Sequence, residues 1–154
     1  MFGIFKKENR SSSSDGEILS VKDIEALVKR IGPEQAGEII REKAISGNKL
    51  CQSFMSTSAI HFLDNTKLSP VAKAKAQKDA EQFTRLAAEN GDMEAQFNLS
   101  LMLQRKVDIS GDYITEQHIE HIREGKMWAD KSAAQGFKPA FDLLKNFEVL
   151  KRFL

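Results

Sequence analysis

Two histidines three residues apart, His118 and His121, with Glu120 beside them and Glu124 one turn on, form the chain's nearest approach to a metal or acid-base constellation. On a helix, residues three and four apart share a face, so two imidazoles and a carboxylate would converge there. The chemistry would be metal-assisted hydrolysis, a bound ion polarising water. The pattern falls short of that chemistry. Its spacing is i,i+3, it lacks the glutamate placement of an HExxH helix, and no second cysteine or distant histidine pair completes four ligands. These residues read instead as the solvated face of a helix whose apolar side carries Ile119 and Ile122. His61 stands alone in the apolar end of another helix, where packing or a hydrogen bond is expected. The single cysteine, Cys51, has no internal partner and reads as an inert buried thiol in a reducing compartment. No Ser-His-Asp order, phosphate-cradling glycine loop or dinucleotide fingerprint occurs. The sequence therefore predicts no enzyme, no cofactor and no metal, with a metal-dependent enzyme centred on His118 and His121 as the minor alternative.

Charge and hydropathy exclude two further classes. A net charge of +1 over 154 residues does not supply the phosphate-attracting field of a nucleic-acid-binding protein, and the lysines of Val71 to Lys78 (VAKAKAQK) are followed by Asp79 and Glu81. No apolar run approaches the roughly 18 residues of a membrane span, so no stable membrane insertion is expected. The segment MFGIFKK carries Phe2, Ile4 and Phe5 beside two lysines, enough for marginal, reversible membrane contact at most. Its charge follows the apolar piece, the reverse of a secretory signal, and phenylalanine at position 2 excludes the usual myristoylation. Cytoplasm is the expected compartment. Residues 1–17, with the polar NRSSSSDG stretch, are expected to be a disordered tail ahead of one domain over 18–154.

The elements that position these residues are read from a repeat. Gly47, Gly91 and Gly136 are separated by 44 and 45 residues and share a context. Eleven residues before each glycine lies a small residue (Ala36, Ala80, Gly125), eight before a bulky apolar one (Ile39, Phe83, Trp128), and three before an alanine (Ala44, Ala88, Ala133). Four after stands Cys51, Ala95 or Ala140, and eight after Met55, Leu99 or Leu144. Offsets of three and four place these side chains on one helical stripe, where small residues admit a close neighbour. The glycine ends the first helix in a left-handed conformation and lets the chain reverse. Ser20 with Asp23 predicts a capping box for an extra helix over 20–31. Pro33 and Ser69–Pro70 open helices, Thr115 caps another, and three helix pairs are predicted over about 33–63, 69–106 and 115–152, the last helix running from Lys138 to about Arg152. No strand is expected, since alternation is sustained nowhere.

The runs LAAENGDMEAQFNLSLML (Leu86 to Leu103) and WADKSAAQGFKPAFDLL (Trp128 to Leu144) resemble the SEL-one-like repeat, a relative of the tetratricopeptide repeat. In this chain Ser100 stands where that repeat usually has a glycine after the return-helix leucine. The resemblance extends over Pro33 to the C terminus. It implies an all-α fold, an α-solenoid of about three helix-turn-helix repeats in a right-handed superhelix with the extra N-terminal helix. It also implies a non-enzymatic, cytoplasmic adaptor or regulator of bacterial type that binds a protein partner.

The partner-binding residues expected on that fold come from helical geometry. Positions nine, six, five and two before each glycine point away from the packed stripe. From these the sequence selects Arg41 and Ile45 in the first copy, Gln82, Arg85, Leu86 and Glu89 in the second, and Met127, Asp130 and Lys131 in the third. Apolar anchors within a polar rim suit a binding surface, and charge reversal at Arg85 or Lys131 is expected to leave melting unchanged. The C-terminal helix carries Phe141, Leu144, Phe147, Leu150, Phe153 and Leu154, more apolar surface than one helix pair covers, so a homodimer through that helix is a further expectation. The partner itself is a toxin or secretion-related protein among other candidates. An immunity or antitoxin protein that neutralises a toxin effector, a task performed by some proteins resembling this family, is the alternative function.

Overall fold

Helix starts are set by side chains that satisfy the free amides of the first turn. In a computed structural model describing residues 16–64, 67–110 and 114–154, seven α-helices and no strand occur among the described residues. They are α1 (Val21–Ile31), α2 (Pro33–Ile45), α3 (Lys49–Leu63), α4 (Pro70–Glu89), α5 (Met93–Arg105), α6 (Glu116–Ala134) and α7 (Lys138–Leu150). The Ser20–Asp23 capping box is formed: the Asp23 amide donates to Ser20 Oγ at 3.3 Å, and the Ser20 amide to the Asp23 carboxylate at 2.8 Å. Ser69 and Thr115 cap α4 and α6, while Asn48 and Asp92 cap α3 and α5. Past Leu150 the chain tightens into a 3-10 turn over Lys151–Phe153, so α7 stops two residues short of the expected Arg152. The expected tail falls outside the described residues as far as residue 15, MFGIFKK and the serine run with it.

The turn glycines adopt the conformation their spacing predicts. Gly47, Gly91 and Gly136 have φ of 103°, 93° and 86°, a region open to glycine and strained for other residues. Each helix packs chiefly on its neighbours in sequence, with lighter contacts from α3 to α5 and from α5 to α7. The small-residue slots are closed: Ala36, Ala80, Ala44, Ala88, Cys51, Ala95 and Ala140 are buried, as is Gly125. A Cβ on Gly125 would sit 2.9 Å from Cζ of Phe147, itself wholly buried. Phe83 and Trp128 are buried at the bulky slot, but in the first copy Ile40, one residue later, is buried and Ile39 is half-buried. The core is continuous with the N-terminal helix, since Ile18, Ile24 and Leu27 share a cluster with Ala36, Ile40, Cys51 and Phe83.

Candidate partner-binding surface

Seven of the nine expected binding residues lie on α4 and α6, and two on α2, so the arrangement of these three helices decides what is free to bind. Two ion pairs tie them together. Arg41 of α2 holds Asp79 of α4 through both guanidinium nitrogens at 2.9 and 2.7 Å. Arg85 of α4 holds Glu124 of α6 at 2.5 Å. Each arginine lies six residues before its own glycine, and each acid twelve before the next. The hydrogen bond from Arg41 holds the Asp79 carboxyl below its ordinary value against an opposing burial effect. Glu124 is lowered first by Arg85, again against burial, and it also accepts from Trp128 Nε1 at 3.2 Å. Arg41 further stacks over the Phe83 ring, 5.1 Å from its centre.

A second set of bonds recurs at matching offsets. Gln52 Nε2 donates to the Ala44 carbonyl at 2.9 Å, and its Oε1 accepts from Asn90 Nδ2. Gln96 Nε2 donates to the Ala88 carbonyl at 3.1 Å, and its Oε1 accepts from Gln135 Nε2 at 2.8 Å. Both glutamines are buried, five residues after a turn glycine, and each joins its own hairpin to the residue just before the following glycine. Nine after the glycine, buried Ser56 shares a hydrogen bond with Thr84 at 2.8 Å, and buried Ser100 donates to the Gly125 carbonyl at 2.7 Å. Ser100 thus makes an inter-hairpin bond. None of these polar contacts was anticipated from the apolar pattern, although the same count from the glycines would have found them.

Of the expected residues, Arg41 and Arg85 are engaged by acids on the first helix of the next hairpin, Asp79 on α4 and Glu124 on α6, so a partner would compete with a formed ion pair for either guanidinium. Leu86 is half-buried against the first core cluster. Gln82, Glu89, Asp130 and Lys131 are exposed. Ile45 and Met127 are the exposed apolar members, at 56% and 40%. Lys131 lies over the Trp128 ring at 4.4 Å, and Asp130 pairs with Lys126 on its own helix.

No group of three histidine, cysteine, aspartate or glutamate side chains among the described residues is placed to hold a metal ion. His118 and His121 each bury Nδ1 without a hydrogen-bond partner among the described residues. His61, for which packing or a hydrogen bond is expected, is exposed on the last turn of α3 and so is not packed. Cys51 is buried, and burial pushes its thiol up. No helix among the described residues is long and apolar enough to cross a membrane. The chain matches no protein-family model, no curated protein and no solved structure.

Proposed function

We propose that the chain is an α-solenoid of three helix-turn-helix repeats, α2–α3, α4–α5 and α6–α7, in a right-handed superhelix extended at its N-terminal side by α1, and that it is a non-enzymatic protein-binding module of the SEL-one-like kind. The observation that carries the reading is the recurrence of whole contacts at fixed offsets. Arg41–Asp79 repeats as Arg85–Glu124, and the Gln52 bonds to Ala44 and Asn90 repeat as the Gln96 bonds to Ala88 and Gln135. Chance similarity between alanine-rich helices would reproduce an apolar stripe but not two bridging bond sets in the same register. Stacking of this kind leaves a continuous side surface, on which Ile45 and Met127 are apolar anchors and Gln82, Glu89, Asp130 and Lys131 a polar rim. The partner is a protein, the compartment the cytoplasm, and no chemistry is assigned to His118 or His121.

Affinity capture with the full chain in its native cell tests the proposal, because the captured protein's identity separates an adaptor from an immunity protein. Ile45→Glu combined with Met127→Glu, at two exposed sites, is expected to release the partner while the melting temperature stays within about 2 °C, as surface changes usually do. Retention by that variant overturns the surface assignment. Stoichiometric metal in the purified protein overturns the non-enzymatic reading.

A further inference from the structure

The two junctions between hairpins occupy the same offsets from the turn glycines but carry side chains of different size. Between α2, α3 and α4 lies an open groove of about 830 Å³. Its floor and walls include Gly37, Ser58, Ala59, Ala72 and Ala76, with Met55 and Phe62 as the large apolar members. A Cβ added to Gly37 would meet nothing within 4 Å. At the second junction, the same offsets from the next glycine turn Gly37, Ser58 and Ala59 into Glu81, Met102 and Leu103, and Ala76 into His121. Leu103 is buried there. Four small residues in the first junction therefore stand where four large ones stand in the second, and the first is left hollow.

Apolar side chains stay exposed around this hollow. Val71, next to the lining residue Ala72, is 81% exposed, and Phe62 is 49% exposed. The rims carry opposite charge. Pro33, Gly37 and Arg41 form the α2 stripe toward α4, with core residues Ala36 and Ile40 on one side, so Glu34 and Glu38 flank the groove on the solvent side. By the same geometry Lys75 and Lys78 flank it on α4, opposite buried Ala76 and Ala80. All four charged residues are exposed. With no strand edge among the described residues, pairing of an extended peptide by backbone bonds is not offered, whereas small side chains between two helices admit the close approach of a third.

We propose that this groove receives an amphipathic α-helix of a partner protein, its apolar stripe seated on Met55, Ala59, Phe62 and Ala76. A basic edge of that helix lies along Glu34 and Glu38, and an acidic edge along Lys75 and Lys78. The proposal deepens the reading of the chain as a protein-binding module and gives it a second surface, distinct from Ile45 and Met127.

Synthetic peptides of about 20 residues, long enough to hold a helix, test it by fluorescence anisotropy against the full chain. All carry leucine at i, i+3, i+4 and i+7; one has a lysine edge and a glutamate edge, one lysine on both edges, one glutamate on both. The mixed-edge peptide is expected to bind best, and Ser58→Met with Ala59→Leu, copying the second junction, to weaken it by about tenfold or more, the loss typical of a blocked anchor pocket. Lys75→Glu with Lys78→Glu, at exposed positions that leave the core untouched, is expected to move the preference to the peptide with two lysine edges. Equal binding to the wild-type and filled variants, binding indifferent to the edges, or a groove already closed by a second copy or by the chain's own residues, read as no gain over the filled variant, overturns the proposal. If the native partner of the capture experiment is held equally by the filled variant, the groove assignment fails while the binding-module reading stands; if no partner is captured and a mixed-edge peptide binds, the groove assignment stands and the surface assigned to Ile45 and Met127 fails.

Discussion

Removal of the Gln96 side chain beyond Cβ tests whether the recurring bonds couple the hairpins. Gln96 is 4% exposed and makes two hydrogen bonds, one to the Ala88 carbonyl and one from Gln135 Nε2. Each contributes about 1 kcal/mol net. Neither partner is fully orphaned in the alanine variant, since the Ala88 carbonyl keeps the Gly91 amide at 3.0 Å and Gln135 is exposed to water. Loss of the one buried methylene beyond Cβ costs about 0.8 kcal/mol, offset by about 1.5 kcal/mol of side-chain entropy returned. The balance is about 1.3 kcal/mol, which for a chain of 154 residues lowers the melting temperature by about 3–5 °C. Urea unfolding should show a lower midpoint with an unchanged slope. The decisive measurement is a pair of double-mutant cycles, Gln96→Ala with Gln135→Ala and Gln52→Ala with Asn90→Ala. Repeat equivalence requires both coupling energies to fall at about 0.5–1.5 kcal/mol and to agree within about 0.5 kcal/mol. Additivity within about 0.3 kcal/mol in either cycle refutes the argument that these side chains bind one hairpin to the next.

Gly125→Ala is expected to destabilise by about 1–3 kcal/mol, because the new methyl meets the Phe147 ring at 2.9 Å in a closed core; Phe147→Leu in the same chain should recover part of the loss, and an unchanged urea midpoint for Gly125→Ala would refute the close packing of α6 on α7. Charge reversal Arg85→Glu breaks the bond to Glu124 and sets two like charges together, so its melting temperature should fall, against the expectation from sequence, while Lys131→Glu leaves it nearly unchanged; equal melting of the two variants would remove the ion pair from the account. Asp79 and Glu124 have folded pKa values depressed by arginine hydrogen bonds, so their stabilisation is present above the ordinary carboxylate value of about 4 and is lost as pH falls through that range toward the lower folded values. Asp79→Asn should flatten that part of the acid limb in urea midpoints taken from neutral pH downward, and a limb parallel to wild type would contradict the assignment. Cys51, buried and with its thiol raised, should react with iodoacetamide only in denaturant; labelling of the native chain at the rate of a free thiol would show that its slot opens.

What was legible in the sequence was whatever a single helix records about its own burial. The glycine turns, the proline starts at α2 and α4, the capping box and the alanine slots each depend on local backbone chemistry or on a stripe of period 3.6, and all are found where the spacing put them. Long polar side chains escaped the same reasoning because their class does not reveal their partner. Arg41 and Arg85 have the composition of a solvent-facing rim, yet each reaches across to an acid 38 or 39 residues on. Leu86 has the offset of an exposed residue but leans on the neighbouring cluster. The groove at the first junction escaped for a different reason: Gly37, Ser58, Ala59 and Ala76 are unremarked singly, and only their convergence between three helices, set against the larger residues of the second junction, marks a hollow.

The same offsets explain how α7 differs from α3 and α5. The stripe by which a return helix receives the next hairpin occupies positions five, eight, nine and twelve after the glycine: Gln52, Met55, Ser56 and Ala59 on α3, and Gln96, Leu99, Ser100 and Leu103 on α5. On α7 those positions hold Phe141, Leu144, Lys145 and Glu148. Lys145 and Glu148 are exposed and paired locally with Asp142 and Lys151 at 2.6 and 2.9 Å. Another hairpin seated there as α6 is on α5 would bury both charges where a serine hydroxyl and a leucine pack in the preceding copy, a desolvation cost without matching partners. Phe141 cannot replace the glutamine's two bonds either. The exposed apolar residues Phe141 and Val149 would serve a face-to-face association through α7, not a continuation of the stack. Phe141→Gln with Lys145→Ser and Glu148→Leu restores the receiving stripe of α5, and the triple variant is expected to form head-to-tail chains whose mass rises with concentration in sedimentation velocity. A variant that sediments as the wild-type chain does at every concentration would mean that the stripe alone does not specify stacking, and would move the specificity to the ion pairs between α2, α4 and α6.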